Sequence, residues 1–166
     1  MGNRKKSKKT YSEKVKDLLE EYGNVNCKEI ILDVRRELHI SLSHVSDIKI
    51  RPVYYKPEVY FVRKKDRRLI TFQVFDTQSK KEDKGDVFSA FFTTNIAVAY
   101  FIVRDNKRLD DINHLISIIE SKLIRDFKAD RKMFPTCTAI TIDEDKLSNK
   151  ILIFDILDKL SKKYKR

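Results

Sequence analysis

The stretch PEVYFVRKKDRRLITFQVFDTQ, Pro57 to Gln78, contains the clearest structural pattern in the chain. Its two apolar runs, PEVYFVRKK and RRLITFQVFDT, are rich in the β-branched and aromatic residues that favour strands. The charged cluster KKDRR between them predicts a turn, so the two runs should pair as a hairpin. Two polar side chains interrupt the apolar pattern: Glu58 opens the first strand and Gln73 lies within the second.

The segments that precede this hairpin predict two helices and one more strand. TYSEKVKDLLEEYG has a helix start signal at Ser12 and a glycine, Gly23, where a C-cap is expected. NCKEIILDVRRELHI, residues 26–40, keeps helical spacing in its apolar residues and predicts a second, short helix. VSDIKIRPVYY, residues 45–55, predicts a strand. Together with the hairpin it would form an antiparallel meander of three strands.

After the hairpin, helices and strands are predicted to alternate. Residues 80–96 form an amphipathic helix in this interpretation, with Val87, Phe88, Phe91 and Phe92 facing the sheet. AVAYFIVRD is apolar at successive positions, which is typical of a central strand covered on both faces. A long helix over 108–127, a strand over 136–143 and a helix over 143–166 complete the order αα, βββ, α, β, α, β, α. The expected class is α/β.

Length and composition indicate one globular domain. The chain has 166 residues, 41% of them hydrophobic, which is enough to bury a core. No apolar run approaches the roughly 20 residues that a membrane span needs, and no secretory leader is recognisable. We therefore expect a cytoplasmic protein that does not enter membranes. Cys27 and Cys137 lack metal or redox spacing and are predicted to be buried thiols.

The positive charge is concentrated at the two ends of the chain. The net charge is +11, and the segments 1–10 and 159–166 carry five Lys or Arg residues each, with no acidic residue. We interpret them as a flexible basic arm and a basic tail that flank a domain spanning residues 11–158. Such segments favour polyanions through counterion release. The same tails could also serve only to keep the protein soluble.

The order αβββαβ, with an acid that opens the second strand, resembles the core of the PD-(D/E)XK nuclease superfamily. This superfamily includes restriction endonucleases and archaeal Holliday junction resolvases. The resemblance covers residues from about Tyr11 to Asp105. It implies a restriction-endonuclease-like αβββαβ core with a mixed central sheet flanked by helices, followed here by an α-β-α extension. It also implies binding of DNA and hydrolysis of its phosphodiester bonds with Mg²⁺ or Mn²⁺.

The motif residues match this superfamily in part. Pro57 and Glu58 correspond to the P-D/E half, Gln73 takes the position of the second acid, and Phe75 takes that of the lysine. The resemblance implies that Glu58 and Gln73 ligate the metal, since hard ions prefer oxygen donors. Phe75 offers neither charge nor proton. In an active enzyme, Glu13 would then be a further acid, and Lys80, Lys81 or Lys84 would replace the motif lysine.

Three interpretations remain open from the sequence. The chain is a metal-dependent endonuclease, or a catalytically inactive nucleic-acid-binding module of the same fold, or a structural, homo-oligomeric protein whose strand order matches by accident. A homodimer fits the first and the third. The candidate DNA contacts are cationic residues of the hairpin tip and of the basic arm: Arg63, Lys64, Lys65, Arg67, Arg68, Lys5 and Lys6. Tyr54, Tyr55 and Tyr60 lie beside the tip in sequence and could stack on bases.

Overall fold

A five-stranded mixed sheet forms the centre of the computed structural model, which describes residues 9–36, 55–76, 80–93, 95–126 and 128–162. Its strands are adjacent in chain order: β1 (Ile31–Arg36), β2 (Val59–Arg63), β3 (Leu69–Phe75), β4 (Ile96–Val103) and β5 (Thr136–Thr141). The pairs β1–β2 and β2–β3 are antiparallel, whereas β3–β4 and β4–β5 are parallel. The predicted α/β class and mixed sheet are confirmed.

Helices cover both faces of this sheet. In the described residues they are α1 (Tyr11–Asn26), α2 (Lys80–Phe91), α3 (Asn106–Ser121) and α4 (Lys150–Ser161). Alternate side chains of the strands pack with α1 and α4 on one face and with α2 and α3 on the other. The strand β4 is buried along nearly its whole length, as its apolar sequence predicts. None of the helices in the described ranges could cross a membrane, because none is both long and apolar enough.

The prediction of a second helix over 26–40 is wrong, because Ile31–Arg36 is the edge strand β1. Ile31 and Val34 both pack toward α1 although they are three positions apart. A regular strand would point them to opposite faces. The register of β1 shifts between Ile31 and Asp33, and such a bulge inserts a residue that restores the common face. The bulge therefore imitates helical spacing in the sequence.

The meander exists, but β1 is its first described strand. The segment 45–55 that was predicted for this role lies outside the described residues, except for Tyr55. Tyr55 is fully buried, and its hydroxyl lies 3.2 Å from Thr71 Oγ1 on β3.

Helix α1 forms as predicted but with different ends. It starts at Tyr11, where Thr10 and Glu13 form a reciprocal capping box, and it continues through Gly23 to Asn26. Gly23 is therefore not a C-cap. A β-carbon built there would lie 2.7 Å from atoms of both Phe61 and Val34, so the glycine allows α1 to approach β1 and β2 closely.

The predictions for the sheet-facing residues of α2 and for the last helix are wrong in part. In α2, Val87 and Phe91 are buried, but Phe88 and Phe92 are exposed and contact each other rather than the sheet. The predicted helix over 143–166 is divided into a 3-10 turn, Glu144–Ser148, and α4. Asn149 causes the division, because its side chain accepts a hydrogen bond from the Leu152 N–H and so starts a new helix. Cys27 and Cys137 are buried, as predicted, and neither forms a disulfide.

Candidate metal centre

Glu58 lies at the bend just before β2, next to the middle of β3. Its backbone N–H donates to the Phe72 carbonyl at 3.1 Å, and its Oε2 accepts from the Val74 N–H at 3.0 Å. Its Oε1 accepts from the Ser12 hydroxyl of α1 at 3.4 Å. Because Phe72 and Val74 flank Gln73 in the chain, the hairpin brings Glu58 alongside Gln73, the two residues that the sequence singled out.

Gln73 faces the side of the sheet that α2 covers. Its neighbours Phe72 and Val74 pack toward α1 on the opposite face, as strand alternation requires. The Gln73 side chain is only 8% exposed. Its Nε2 donates to Asp86 Oδ2 over 3.4 Å, and its Oε1 is buried with no hydrogen-bond partner in the part of the chain that the structure describes. A buried acceptor in this state is rare in folded proteins.

Asp86, on α2, is the residue in contact with Gln73 that the sequence interpretation missed. Burial of its carboxyl raises its pKa to about 6, and the negative charges of Asp83, Glu58 and Glu82 act in the same direction. A weak signal was present in the sequence. Asp86 directly precedes the sheet-facing Val87 on α2. In a β-α-β crossover the first turns of the helix lie near the end of the preceding strand, so Asp86 is expected near the end of β3.

Glu13 occupies a different place from the one expected. It is exposed, and its Oε2 accepts from the Thr10 backbone N–H at 2.8 Å and from the Thr10 hydroxyl at 3.2 Å. These bonds hold the pKa of the Glu13 carboxyl below its usual value. Its described role is to cap α1. Among the described contacts, Glu58 meets α1 at Ser12, the residue that precedes Glu13.

The position of the motif lysine is occupied by a core residue. Phe75 is fully buried, and its ring stacks on Phe101 with centroids 5.5 Å apart. Lys84 is exposed on α2 and lines a cavity of about 260 Å³ between α2 and α3, together with Asp83, Arg108 and His114. Neither Glu58 nor Gln73 lines that cavity. Lys80 begins α2, but its side chain lies outside what the structure describes.

Two arginines near the end of β4 are held by carboxylates. Arg108 donates through Nε and Nη2 to the two oxygens of Asp83, each at 2.8 Å, and through Nη1 to the Asp76 carbonyl at 3.0 Å. Arg104 Nη2 lies 2.8 Å from Asp76 Oδ1. These guanidinium groups therefore join α3 and the end of β4 to α2 and the end of β3.

The hairpin tip is only partly available to a ligand. Arg63 is buried and pairs with Asp66 through two nitrogens, and Arg68 donates to the Ile96 carbonyl at 2.6 Å. Lys64, Lys65 and Arg67 are exposed at the turn, and Lys64 also bonds the Lys28 carbonyl.

The expectation of base stacking by Tyr55 and Tyr60 is wrong, because both are buried in the core under α2 and α3. Tyr54, Lys5 and Lys6 lie outside the described residues.

The donor set suits a hard divalent cation only if the amide takes part. Within the described ranges, no three His, Cys, Asp or Glu side chains come close enough together to hold a metal. Glu58 and Asp86 are two carboxylates, and the third oxygen is the carbonyl of Gln73. All three are the oxygen donors that Mg²⁺ and Mn²⁺ prefer. The unpartnered Gln73 oxygen is the observation that makes this fit.

Comparison of the chain with known protein families, with curated proteins and with solved structures finds no match.

Proposed function

We propose that the protein binds DNA and hydrolyses its phosphodiester bonds with Mg²⁺ or Mn²⁺ held by Glu58 and Gln73. The observation that carries the proposal is that the Glu58 carboxylate bonds the N–H of Val74, the residue after Gln73, and that the Gln73 carbonyl oxygen is buried without a described partner. The strand order supports it, since three antiparallel strands followed by a parallel fourth agree with the restriction-endonuclease-like core that the sequence resembles.

The residues around Glu58 and Gln73 indicate how the two side chains would hold an ion and what the ion would do. A bound divalent ion would neutralise charge on the phosphate and lower the pKa of an attacking water. The Val74 N–H and the Ser12 hydroxyl fix the orientation of the Glu58 carboxylate, and burial fixes the Gln73 amide. In the hydrolysis, a water oxygen bonds to phosphorus while the bond from phosphorus to one sugar oxygen breaks. The water proton leaves to solvent, and the departing oxygen takes a proton from solvent.

Charge supports DNA as the substrate. The net charge of +11 resides mainly in the arm and the tail, and Lys65 and Arg67 are exposed at the hairpin tip. Cations of this kind bind phosphates regardless of base sequence.

A second candidate function is DNA binding without cleavage. It is favoured by Phe75, which is buried against Phe101 where the resembled motif has a lysine. The described residues therefore place no cation at the position from which that lysine would reach the attacking water and the phosphate. In this case Glu58 and Gln73 would be structural groups within an inactive site.

The test is nicking of supercoiled plasmid and of branched DNA in Mg²⁺ or Mn²⁺, with EDTA as the metal-free condition. We expect the natural chain to nick DNA and Glu58→Gln to lose this activity. The glutamine carbonyl can still accept a hydrogen bond from the Val74 N–H, but the side chain lacks the negative charge that binds the cation. Glu82→Gln is the matched control, since it removes one negative charge from an exposed position on α2.

Cleavage that persists in Glu58→Gln, or no cleavage with either ion, removes the nuclease proposal. Retention of DNA without cleavage then supports the second candidate. If the chain neither cleaves nor retains DNA, the structural, homo-oligomeric interpretation is the one that remains.

A further inference from the structure

We propose that Asp86 is a third ligand of the divalent cation, so that the site joins a hairpin acid, a strand amide and a helix carboxylate. The inference rests on the proposed function, because it names a further ligand at the same centre. The second negative charge of the site would then come from Asp86 on helix α2, because Gln73 is neutral where the resembled motif has an acid.

The Gln73 amide is buried and only partly hydrogen-bonded among the described residues. The side chain is more than nine-tenths buried, its Nε2 points to Asp86 over 3.4 Å, and its Oε1 has no hydrogen-bond partner among the described residues. That nitrogen contact is long for a hydrogen bond. With the amide turned so that its oxygen replaces its nitrogen beside Asp86, a cation held by both groups would give the carbonyl oxygen the partner that it lacks.

The charge of Asp86 is unbalanced in the part of the chain that the structure describes. Its neighbour on α2, Asp83, is neutralised by two bonds from Arg108. For Asp86 the structure describes only the neutral Gln73 amide as a bonding partner, although the side chain is half-buried and lies within electrostatic reach of Glu58. A half-buried carboxylate in this setting is stabilised by a nearby positive charge.

The donor set identifies the class of cation. Two carboxylates and one amide carbonyl are hard oxygen ligands, and no imidazole or thiolate belongs to the group. Mg²⁺ and Mn²⁺ accept such ligands and keep their remaining positions for water and phosphate oxygens. A site with three protein oxygens would therefore leave room for a substrate phosphate.

The experiment is a titration of the full chain with Mn²⁺ alone, without DNA, in which the electron paramagnetic resonance signal of free Mn²⁺ reports binding. We expect Asp86→Asn to weaken Mn²⁺ binding by about 10- to 100-fold, the range seen when groups that support a metal are removed. The control Glu82→Gln removes the same charge from the same helix without removing a ligand. It should weaken binding by less than about threefold, because the exposed Glu82 carboxylate acts on the site only at a distance and in part through screening solvent.

A gain of binding provides an independent check that loss of folding cannot imitate. Gln73→Glu supplies a second strand carboxylate and should tighten Mn²⁺ binding by about tenfold or more, as an added opposite charge does at close range. Unfolding curves recorded in EDTA verify that each variant is folded.

The inference is overturned if Asp86→Asn binds Mn²⁺ like the natural chain, if Glu82→Gln loses as much affinity as Asp86→Asn, or if the natural chain binds no Mn²⁺. Its failure differs from failure of the nuclease proposal. Unchanged Mn²⁺ binding by Asp86→Asn, with DNA cleavage intact, removes only Asp86 from the site. Binding that depends on Asp86, without any cleavage of DNA, supports the site and removes the nuclease.

Discussion

Gln73 on β3 donates its side-chain amide to Asp86 on α2, across 3.4 Å between Nε2 and Oδ2, and this contact joins the sheet to the helix that crosses over it. The Asp86 carboxylate is partly buried, and the negative charges of Asp83, Glu58 and Glu82 act on it from outside. Without a cation, ionisation of Asp86 must therefore oppose folding. That consequence can be measured without knowledge of any substrate.

Asp86→Asn should stabilise the metal-free protein above neutral pH. Burial raises the folded pKa of Asp86 to about 6, above its ordinary value of 3.8. For an acid with a raised pKa, stability is greatest below the ordinary value and is lost as the pH rises through about 6. Asparagine cannot ionise, so at pH 8 in EDTA its free energy of unfolding should exceed that of the natural chain by roughly 1–3 kcal/mol.

Urea unfolding of the two proteins between pH 4 and pH 8 measures this difference. The curves should approach each other near pH 4, separate between pH 4 and pH 6, and differ by a constant amount above that range. Parallel curves would show that Asp86 ionises in the folded protein as easily as in the unfolded chain.

Two helix glycines should respond in opposite ways to alanine. Gly23→Ala places a methyl group 2.7 Å from Phe61 and Val34 in the core, so we expect a loss of about 1–3 kcal/mol from overpacking. Gly85→Ala is the matched control. Its β-carbon would meet nothing within 4 Å, so the higher helix propensity of alanine should stabilise the protein by about 0.5–1 kcal/mol. Thermal unfolding of both variants tests the pair, and a neutral Gly23→Ala would show that α1 can move away from the sheet.

The sequence predicts elements whose patterning is local and fails where tertiary contacts supply the reason. The central strand β4 and the helices α1 and α3 follow from apolar periodicity alone. The edge strand β1 does not, because its bulge puts Ile31 and Val34 on one face at a spacing typical of a helix. Gly23 occupies a position typical of a helix end, yet a glycine is required there because Phe61 of β2 approaches α1 closely.

The candidate site divides in the same way. Glu58 and Gln73 could be paired from the sequence because a short turn joins their strands, and turn length fixes which residues meet. Asp86 could not be identified in this way. Its contact with Gln73 depends on the angle at which α2 crosses the sheet, and no local pattern encodes that angle.

Arg108 should be essential for stability, because it neutralises a carboxylate from which water is almost excluded. Asp83 has a side-chain exposure of 2%, and Arg108 makes two bonds to it. Arg108→Ala would leave that charge buried without its partner, at a cost of about 3–5 kcal/mol. The comparison is Lys122→Ala, which breaks an exposed pair with Asp126 and should cost less than about 1 kcal/mol. Urea midpoints compare the two, and equal small losses would show that Asp83 is reached by water.

The basic ends should carry most of the salt dependence of DNA binding. Deletion of residues 1–8 and 163–166 removes four and three positive charges and lowers the net charge from +11 to +4. It spares Thr10, which caps α1, and the ion pair between Lys9 and Asp17. If every deleted charge contacts a phosphate, the slope of log affinity against log salt should become shallower by up to about 6.

Fluorescence anisotropy with a labelled duplex, recorded from low to physiological salt, measures this slope. The matched variant is the full chain with Lys65→Gln and Arg67→Gln, which changes two exposed residues of the hairpin tip and leaves both ends intact. A shallower slope in the truncated chain alone would place DNA on the two ends. An unchanged slope after truncation, with a shallower one in the tip variant, would place DNA on the hairpin and show that the charged ends contribute little to binding.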